Sequence, residues 1–340
     1  MTPDVTVLIA TYNRAALLGE TLDDLARVEP CGLPWEVVIV DNNSRDDTRG
    51  VVESRQATYP VPLRYLFEGR QGRSAALNAG HAQTSAPYIL YTDDDVRVAA
   101  GWLRAGASAL AAGWDYVGGP VQPLWEAPRP IWLHPSLHGT IAILDYGDVP
   151  FVFEDRSRVP LGANMGVRRS LLDRIGGFRE DLGRSTGRKI LGQEVPELLA
   201  RARTAGARGF YVPELAVQHH VPAARLTRSY FRRWWYGKGA SKSTLELAQP
   251  ITELGLDLRN EPHIGRVPRF MIGNVARNVL GYARELYKRN PAERFQHEMM
   301  LVYTAGYCAA RGVGRRRPAY GQGDGTALPD RPRSQAQFTV

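Results

Sequence analysis

Hydrophobic residues fall along the first hundred positions in two alternating patterns. Short runs that are apolar almost throughout, VTVLIA at 5–10, WEVVIVD at 35–41, PLRYLF at 62–67 and PYILYTD at 87–93, read as strands buried on both faces. Between them lie stretches with helical spacing: 17–28, where Leu18, Leu22 and Leu25 share a face, about 46–57, and about 73–82. Strand and helix in strict alternation predict an α/β fold with a doubly wound, mostly parallel sheet covered by helices.

Composition narrows the class. A chain of 340 residues with 44% hydrophobic content can bury a large core and is neither fibrous nor disordered. Its two cysteines, Cys31 and Cys308, are too few for a disulfide framework and too far apart for a metal-ligand motif, which points to a reducing compartment. The start, MTPDVTVLIATYNR, lacks a basic n-region, and no apolar run approaches about 18 residues, so the expectation is a cytoplasmic protein without a spanning helix. The net charge of +8 is uneven. Residues 225–320 hold 18 Lys and Arg against 7 Asp and Glu, a balance of +11, which leaves 8 − 11 = −3 for the rest. A basic third of this kind suits an anionic membrane or a phosphorylated substrate; nucleic acid is disfavoured because no recognised binding module accompanies the charge.

Polar residues gather where the strands end. Thr11, Tyr12, Asn13 and Arg14 follow the first, DNNSRDDT from Asp41 to Thr48 follows the second, and Asp93, Asp94 and Asp95 follow the fourth. In open α/β sheets ligands sit beyond these carboxyl ends. Three adjacent carboxylates repel one another, so something must compensate their charge. Along extended backbone Asp93 and Asp95 point the same way and Asp94 another, which makes a pair of hard oxygen ligands suited to Mg²⁺ or Mn²⁺. Without a ligand, the same residues would be a solvated acidic turn, and the DNNS segment an Asx-turn.

The ordered set ATYNR, VIVDNNSRDDT, EGRQGRSAALNAG and YTDDD resembles the successive motifs of family 2 glycosyltransferases with the GT-A fold. Further on, PLGANMGVRRSLLDRIGGFRED at 160–181 resembles that family's acceptor-side segment, and YVPELAVQHH at 211–220 its last strand with a metal-binding histidine. The resemblance covers roughly residues 4–225. It implies that Thr11, Tyr12 and Asp41 hold the nucleoside, with Asn13, Arg14 and Asp94 beside them. Arg73 would lie near the diphosphate or sugar, and Asp93 would contact ribose or metal. Asp95 would be the firm metal ligand, with His219 completing the shell and His220 the fallback. One departure stands out: Leu77 occupies a position where the family commonly has Arg. The implied donor is a nucleoside diphosphate sugar, UDP-linked by preference, and the acceptor a hydroxyl, on a lipid-linked or polysaccharide molecule.

Inverting transfer needs a base across the sugar from the metal. In GQEVPELLARARTAG, Pro196 suits the first turn of a helix and Glu194 falls in the loop just before it, which makes Glu194 the first candidate and Glu197 the second. Other classes fit less well. ATYNRAALLG is not the glycine-rich basic loop of a sugar nucleotidyltransferase, and no GxGxxG follows the first strand as a redox dinucleotide enzyme requires. A catalytically inactive nucleotide- or membrane-binding module is the remaining alternative.

The division expected is a catalytic domain at 1–225, with a nucleotide-sugar half at about 1–98 and an acceptor half at about 99–225, a helical appendage at 226–313, and a disordered tail at 314–340. In LTRSYFRRWWYGKGASK, Tyr230, Phe231, Trp234 and Trp235 form one helical face beside Arg232, Arg233 and Lys238. That face predicts peripheral contact with the inner leaflet of the cell membrane, or else ordinary packing. Two more helices follow; one carries Ile272, Val275, Ala276, Val279 and Leu286 in register, and the next opens on Asn290 as cap with Pro291 behind it.

Overall fold

The computed structural model describes residues 2–155, 157–182, 193–248 and 257–312; the tail assigned to 314–340 lies outside them. Strand β1 (Val5–Thr11) leads into α1 (Ala15–Leu25), β2 (Trp35–Asp41), α2 (Thr48–Gln56), β3 (Leu63–Phe67), α3 (Arg73–Ala82) and β4 (Tyr88–Thr92). The middle of the chain forms β5 (Val96–Val98), α4 (Trp102–Ala111), β6 (Tyr116–Gly118), β7 (Val121–Trp125), a 3-10 turn at Pro135–Ile141, β8 (Phe151–Val152), β9 (Asn164–Arg168) and α5 (Arg169–Ile175). Then come α6 (Glu194–Thr204), β10 (Gly209–Tyr211), β11 (Val217–Val221), α7 (Arg228–Ala248), the hairpin β12 (His263–Ile264) and β13 (Val267–Pro268), and helices α8 (Arg269–Tyr287) and α9 (Pro291–Gly312).

Eight strands make the main sheet in the order β3-β2-β1-β4-β9-β6-β10-β8. The chain winds one way from β1 to β2 and β3, then crosses back so that β4 pairs with the other side of β1, all of them parallel. β1 is therefore the point where strand order reverses, and the crevice above its carboxyl end is where a ligand fits. Beyond β4 the sheet becomes mixed, because β9 runs antiparallel to both β4 and β6. The apolar runs predicted as strands are buried on both faces: Val5, Val7, Leu8 and Ile9, like Val37 to Val40, are wholly shielded from solvent. On one face the leucines Leu18, Leu22 and Leu25 of α1 join Trp102, Leu103 and Leu110 of α4; on the other, Ala76 and Leu77 of α3 pack with Leu198 and Leu199 of α6. Leu77, the departure from the family pattern, thus points into the core and not toward a phosphate.

A second, three-stranded sheet in the order β5-β11-β7 sits beside the crevice. Its register sets His219 against Val96, so the last strand is held next to the acidic triplet. Asn164 ties the two sheets together: its amide donates to the carbonyls of Pro120 and Leu215, and its Oδ1 accepts from Trp102 Nε1 at 2.8 Å.

Of the two readings of the aromatic face of α7, packing accounts for Phe231 and Trp235, which are 0% and 4% exposed. They form a core with Leu137 and Ile141 of the 3-10 turn, Val221 of β11, and Phe295 and Met299 of α9. Trp235 Nε1 donates to Thr140 Oγ1 at 3.0 Å, so its one polar atom is satisfied inside the protein. The aromatic spacing was that of a packing face. Helix α8 lies outside, packed on α9, and Asn290 caps α9 by accepting from the amides of Ala292 and Glu293.

Candidate active site

The crevice above β1 gathers almost every polar residue that the strand ends offered. Asp94 turns away from its neighbours, accepting from Thr11 Oγ1 at 2.8 Å and from Arg14 Nη1 at 2.7 Å. The same Arg14 nitrogen donates to Asp95 Oδ2 at 2.7 Å, and Arg73 donates to Asp93 Oδ1 at 2.7 Å. Two arginines therefore compensate the three adjacent acids. Burial pushes the Asp94 carboxyl up to about 6 against the pull of Arg14, and burial, with Asp93 adding, also raises Asp95. For Asp93 burial works upward too, but Arg73, His219 and Arg14 together hold it below the ordinary range.

Asp93, Asp95 and His219 bring one ligand atom each to within 4.8 Å of one another. His219 Nε2 stands 3.4 Å from Asp95 Oδ1, while His220 turns to the other side of β11, where its Nε2 is 3.9 Å from Glu126. Strand alternation decides between the two. Burial pushes the His219 ring down to about 4, so it is neutral near pH 7 with a lone pair to offer. Asp95 Oδ1 and His219 Nδ1 are buried with no hydrogen-bond partner in the described structure. Two carboxylates, one imidazole and an unsatisfied acid oxygen fit a divalent cation of the Mg²⁺ or Mn²⁺ type.

Glu194 is the first residue of α6 and not in the loop before it, with Pro196 two positions further in the first turn. The difference arises because Gln193 takes the capping position. Glu194 is 5% exposed, and its Oε2 has no hydrogen-bond partner in the described structure. Arg73 reaches it from the acidic side, with Nη1 3.7 Å from Glu194 Oε1. Glu197 is occupied: it accepts from Arg201 Nε and Nη2, both at 2.9 Å, and Arg201 in turn donates to the carbonyls of Ile175, Gly176 and Gly177.

The nucleoside side of the crevice is built by Asp41 and its surroundings. Asp41 is buried, accepting from the Ser44 amide at 2.9 Å and from Tyr65 Oη at 2.8 Å. Asn13 adopts a left-handed φ of 52° and its Oδ1 accepts from the Arg45 amide, so its amide shapes the loop after β2. Tyr12, beside Asn13 in the chain, is half-buried. Three residues absent from the sequence-based set contribute. Asn42 donates to the carbonyls of Glu68 and Arg70 and accepts from the Gly72 amide, which fixes the loop that leads to Arg73. Tyr65 supports Asp41, and the positive charge of Arg225 acts on Asp95. Only Asn42 left a trace in the sequence, as part of the DNNS turn; its partners lie too far along the chain to be inferred.

The match to known proteins follows this geometry. The model of glycosyl transferase family 2 matches residues 6–176. The chain belongs to glycosyl transferase family 2. This glycosyltransferase is 25% identical over 241 residues to the succinoglycan biosynthesis protein ExoM of Rhizobium meliloti, an alignment spanning 70% of the present chain and 73% of that one. It is 29% identical over 213 residues to the validoxylamine A glucosyltransferase of Streptomyces hygroscopicus subsp. jinggangensis, spanning 53% and 48%. Among solved structures, the mannosyltransferase PcManGT from Pyrobaculum calidifontis, in complex with GDP-Man and Mn²⁺, superimposes with a TM-score of 0.58 at 22% identity over 92% of this glycosyltransferase and 88% of that chain. The fold is GT-A. No described helix of the glycosyltransferase is long and apolar enough to cross a membrane.

Proposed function

We propose that the protein is an inverting, cation-dependent glycosyltransferase that moves a sugar from a nucleoside diphosphate to an acceptor hydroxyl, with Glu194 as the base. The observation that carries this reading is the position of Arg73, between Asp93 of the Asp93–Asp95–His219 cluster and the buried carboxylate of Glu194. A base and a cation site are thereby held on two sides of one arginine.

In the proposed reaction the acceptor oxygen forms a bond to the anomeric carbon while the bond from that carbon to the diphosphate oxygen breaks, its electron pair leaving with the diphosphate. The acceptor proton passes to Glu194. A divalent cation on Asp93, Asp95 and His219 would supply positive charge to the departing diphosphate. Arg73 keeps Asp93 and Glu194 oriented and favours the ionised form of Asp93. Asp41, held by Ser44 and Tyr65, presents a fixed acceptor at the mouth of β2 for a nucleobase, with Thr11 and Tyr12 beside it. Arg14 bridges two acids and partly faces solvent, which suits a role that changes partner when a phosphate arrives.

Relatives of the same fold are described with different donors: the mannosyltransferase above with GDP-Man, and TarS 1–349 of S. aureus, at 16% identity and a TM-score of 0.51, with UDP-GlcNAc. The family resemblance favours UDP here, and a polysaccharide or lipid-linked acceptor accords with the similarity to a succinoglycan biosynthesis protein. A panel of UDP- and GDP-sugars with Mn²⁺ tests the reading. One donor should be hydrolysed slowly and should raise the melting temperature by mass action. A panel in which no donor does either would remove the proposal.

A further inference from the structure

We propose that the outward face of α8 is a docking surface for an anionic lipid bilayer. Large apolar side chains are exposed at twelve positions among the described residues, and six of these, Ile264, Ile272, Val279, Leu280, Leu286 and Tyr287, fall within the β12–β13 hairpin and α8. Leu280 is 71% and Tyr287 90% exposed. At about 100° per residue, Ile272, Ala276, Val279, Leu280, Leu286 and Tyr287 lie within one arc of about 120°. The residues that α8 buries, Met271, Gly281 and Glu285, lie on the opposite side, against α9. Gly281 allows that approach, since a Cβ there would stand 2.4 Å from the His297 ring. The helix therefore meets α9 through one side and, among the described residues, leaves its apolar arc exposed on the other.

Charge selects the occupant. Residues 263–290 contain six Lys and Arg, at 266, 269, 277, 284, 288 and 289, against the single acid Glu285. All six cations are exposed, whereas Glu285 is buried and paired with Arg284 at 2.7 Å and Lys288 at 3.7 Å. Arg277, Arg284 and Lys288 fall together along one edge of the apolar arc. A second copy of this chain would bring a like-charged edge against this one with no free acid to meet it. Residues 314–340 carry five Arg against two Asp, so the chain's own end has the wrong sign as well. An anionic leaflet accepts both features, burying the apolar arc at the level of the headgroups while the cations reach phosphate. The helix would lie in the plane of the surface, since it is not apolar enough to cross.

The test is co-sedimentation of the full chain with phosphatidylcholine vesicles, with and without phosphatidylglycerol. The wild type should pellet with the anionic vesicles at low salt and release at high salt, where the cations are screened. Leu280→Asp with Leu286→Asp should lower partitioning by at least about tenfold. Both side chains are exposed, so the melting temperature should stay at the wild-type value, and Arg277→Glu with Lys288→Glu should remove the salt-sensitive part. Wild-type protein left in the supernatant with anionic vesicles, or Leu variants that pellet like the wild type, would overturn the proposal. A wild-type dimer in sedimentation velocity that Leu280→Asp splits would assign the face to a second copy and overturn it equally.

Discussion

The guanidinium of Arg73 stands 3.7 Å from Glu194 Oε1 while its Nη2 donates to Asp93 Oδ1 at 2.7 Å. One side chain thus joins the residue proposed to take a proton to the cluster proposed to hold a cation. Glu194 is distant in sequence from Arg73, and α3 and α6 bring the two together by packing on the same face of the sheet, while Asp93 arrives at the end of β4.

Exchanging Glu194 for Gln keeps the size of the side chain and removes its basicity. Turnover should fall by about 10²-fold or more with donor affinity retained, because a general base contributes on this scale. Glu197→Gln should behave differently. It loosens the grip on Arg201 and with it the carbonyls of residues 175–177, so the melting temperature should drop while the remaining folded enzyme stays active. Steady-state kinetics and thermal melts on the two variants separate the roles, and near-normal turnover in Glu194→Gln would move the base elsewhere.

Gly162 offers a test that touches neither acid. Its carbonyl accepts from Arg73 Nη2 at 3.0 Å, and a Cβ there would stand 2.9 Å from Arg73 Nη1 and 3.0 Å from Val195 Cγ2. Gly162→Ala should therefore displace Arg73 and lower kcat more than stability. Equal kcat in mutant and wild type would show that the placement of Arg73 is not needed for turnover.

Of the two adjacent histidines only one should matter for the cation. His219→Ala should weaken Mn²⁺ binding by about tenfold or more, as loss of one ligand does, whereas His220→Ala should leave it within error. Paramagnetic resonance of a Mn²⁺ titration reads this without any substrate. The reverse ranking would contradict the orientation of β11.

Much of this arrangement was legible in the sequence, for physical reasons. Strands buried on both faces must be apolar throughout, so VTVLIA and WEVVIVD marked the centre of the sheet, and acids following a buried strand marked the edge where the polar side chains converge. Period-two alternation sorted Asp93 and Asp95 from Asp94. Other features depend on contacts between distant segments. That Phe231 and Trp235 are core residues follows from α9 and the Pro135–Ile141 turn closing over them, which no local pattern records. The same helical periodicity appears in α8, where its face is left open. Amphipathic spacing shows that a face is apolar, and only the tertiary fold shows what covers it.

Lys238 gives a pH-dependent prediction. It is half-buried with Nζ 5.2 Å from the Trp234 ring and 4.8 Å from that of Trp235, and burial, with Lys242 adding, pushes its pKa down to about 8. Between about pH 8 and the ordinary lysine value near 10.5 the unfolded chain holds a proton that the folded one has lost, so this group's cost to stability shrinks as pH rises and is full below about 8. Lys238→Met should accordingly gain more melting temperature over the wild type at neutral pH than at alkaline pH. A difference that does not change with pH would mean that the indole rings fully offset the burial.

Binding of a nucleoside diphosphate to the acidic triplet through a divalent cation is measurable by calorimetry. UDP and GDP are titrated into wild type and Asp95→Ala, each with Mn²⁺ and with chelator. One nucleotide should bind the wild type at least about tenfold more tightly with Mn²⁺ than without, and Asp95→Ala should abolish this difference while remaining folded. Metal-independent binding by the wild type, or an unchanged metal dependence in Asp95→Ala, would contradict it.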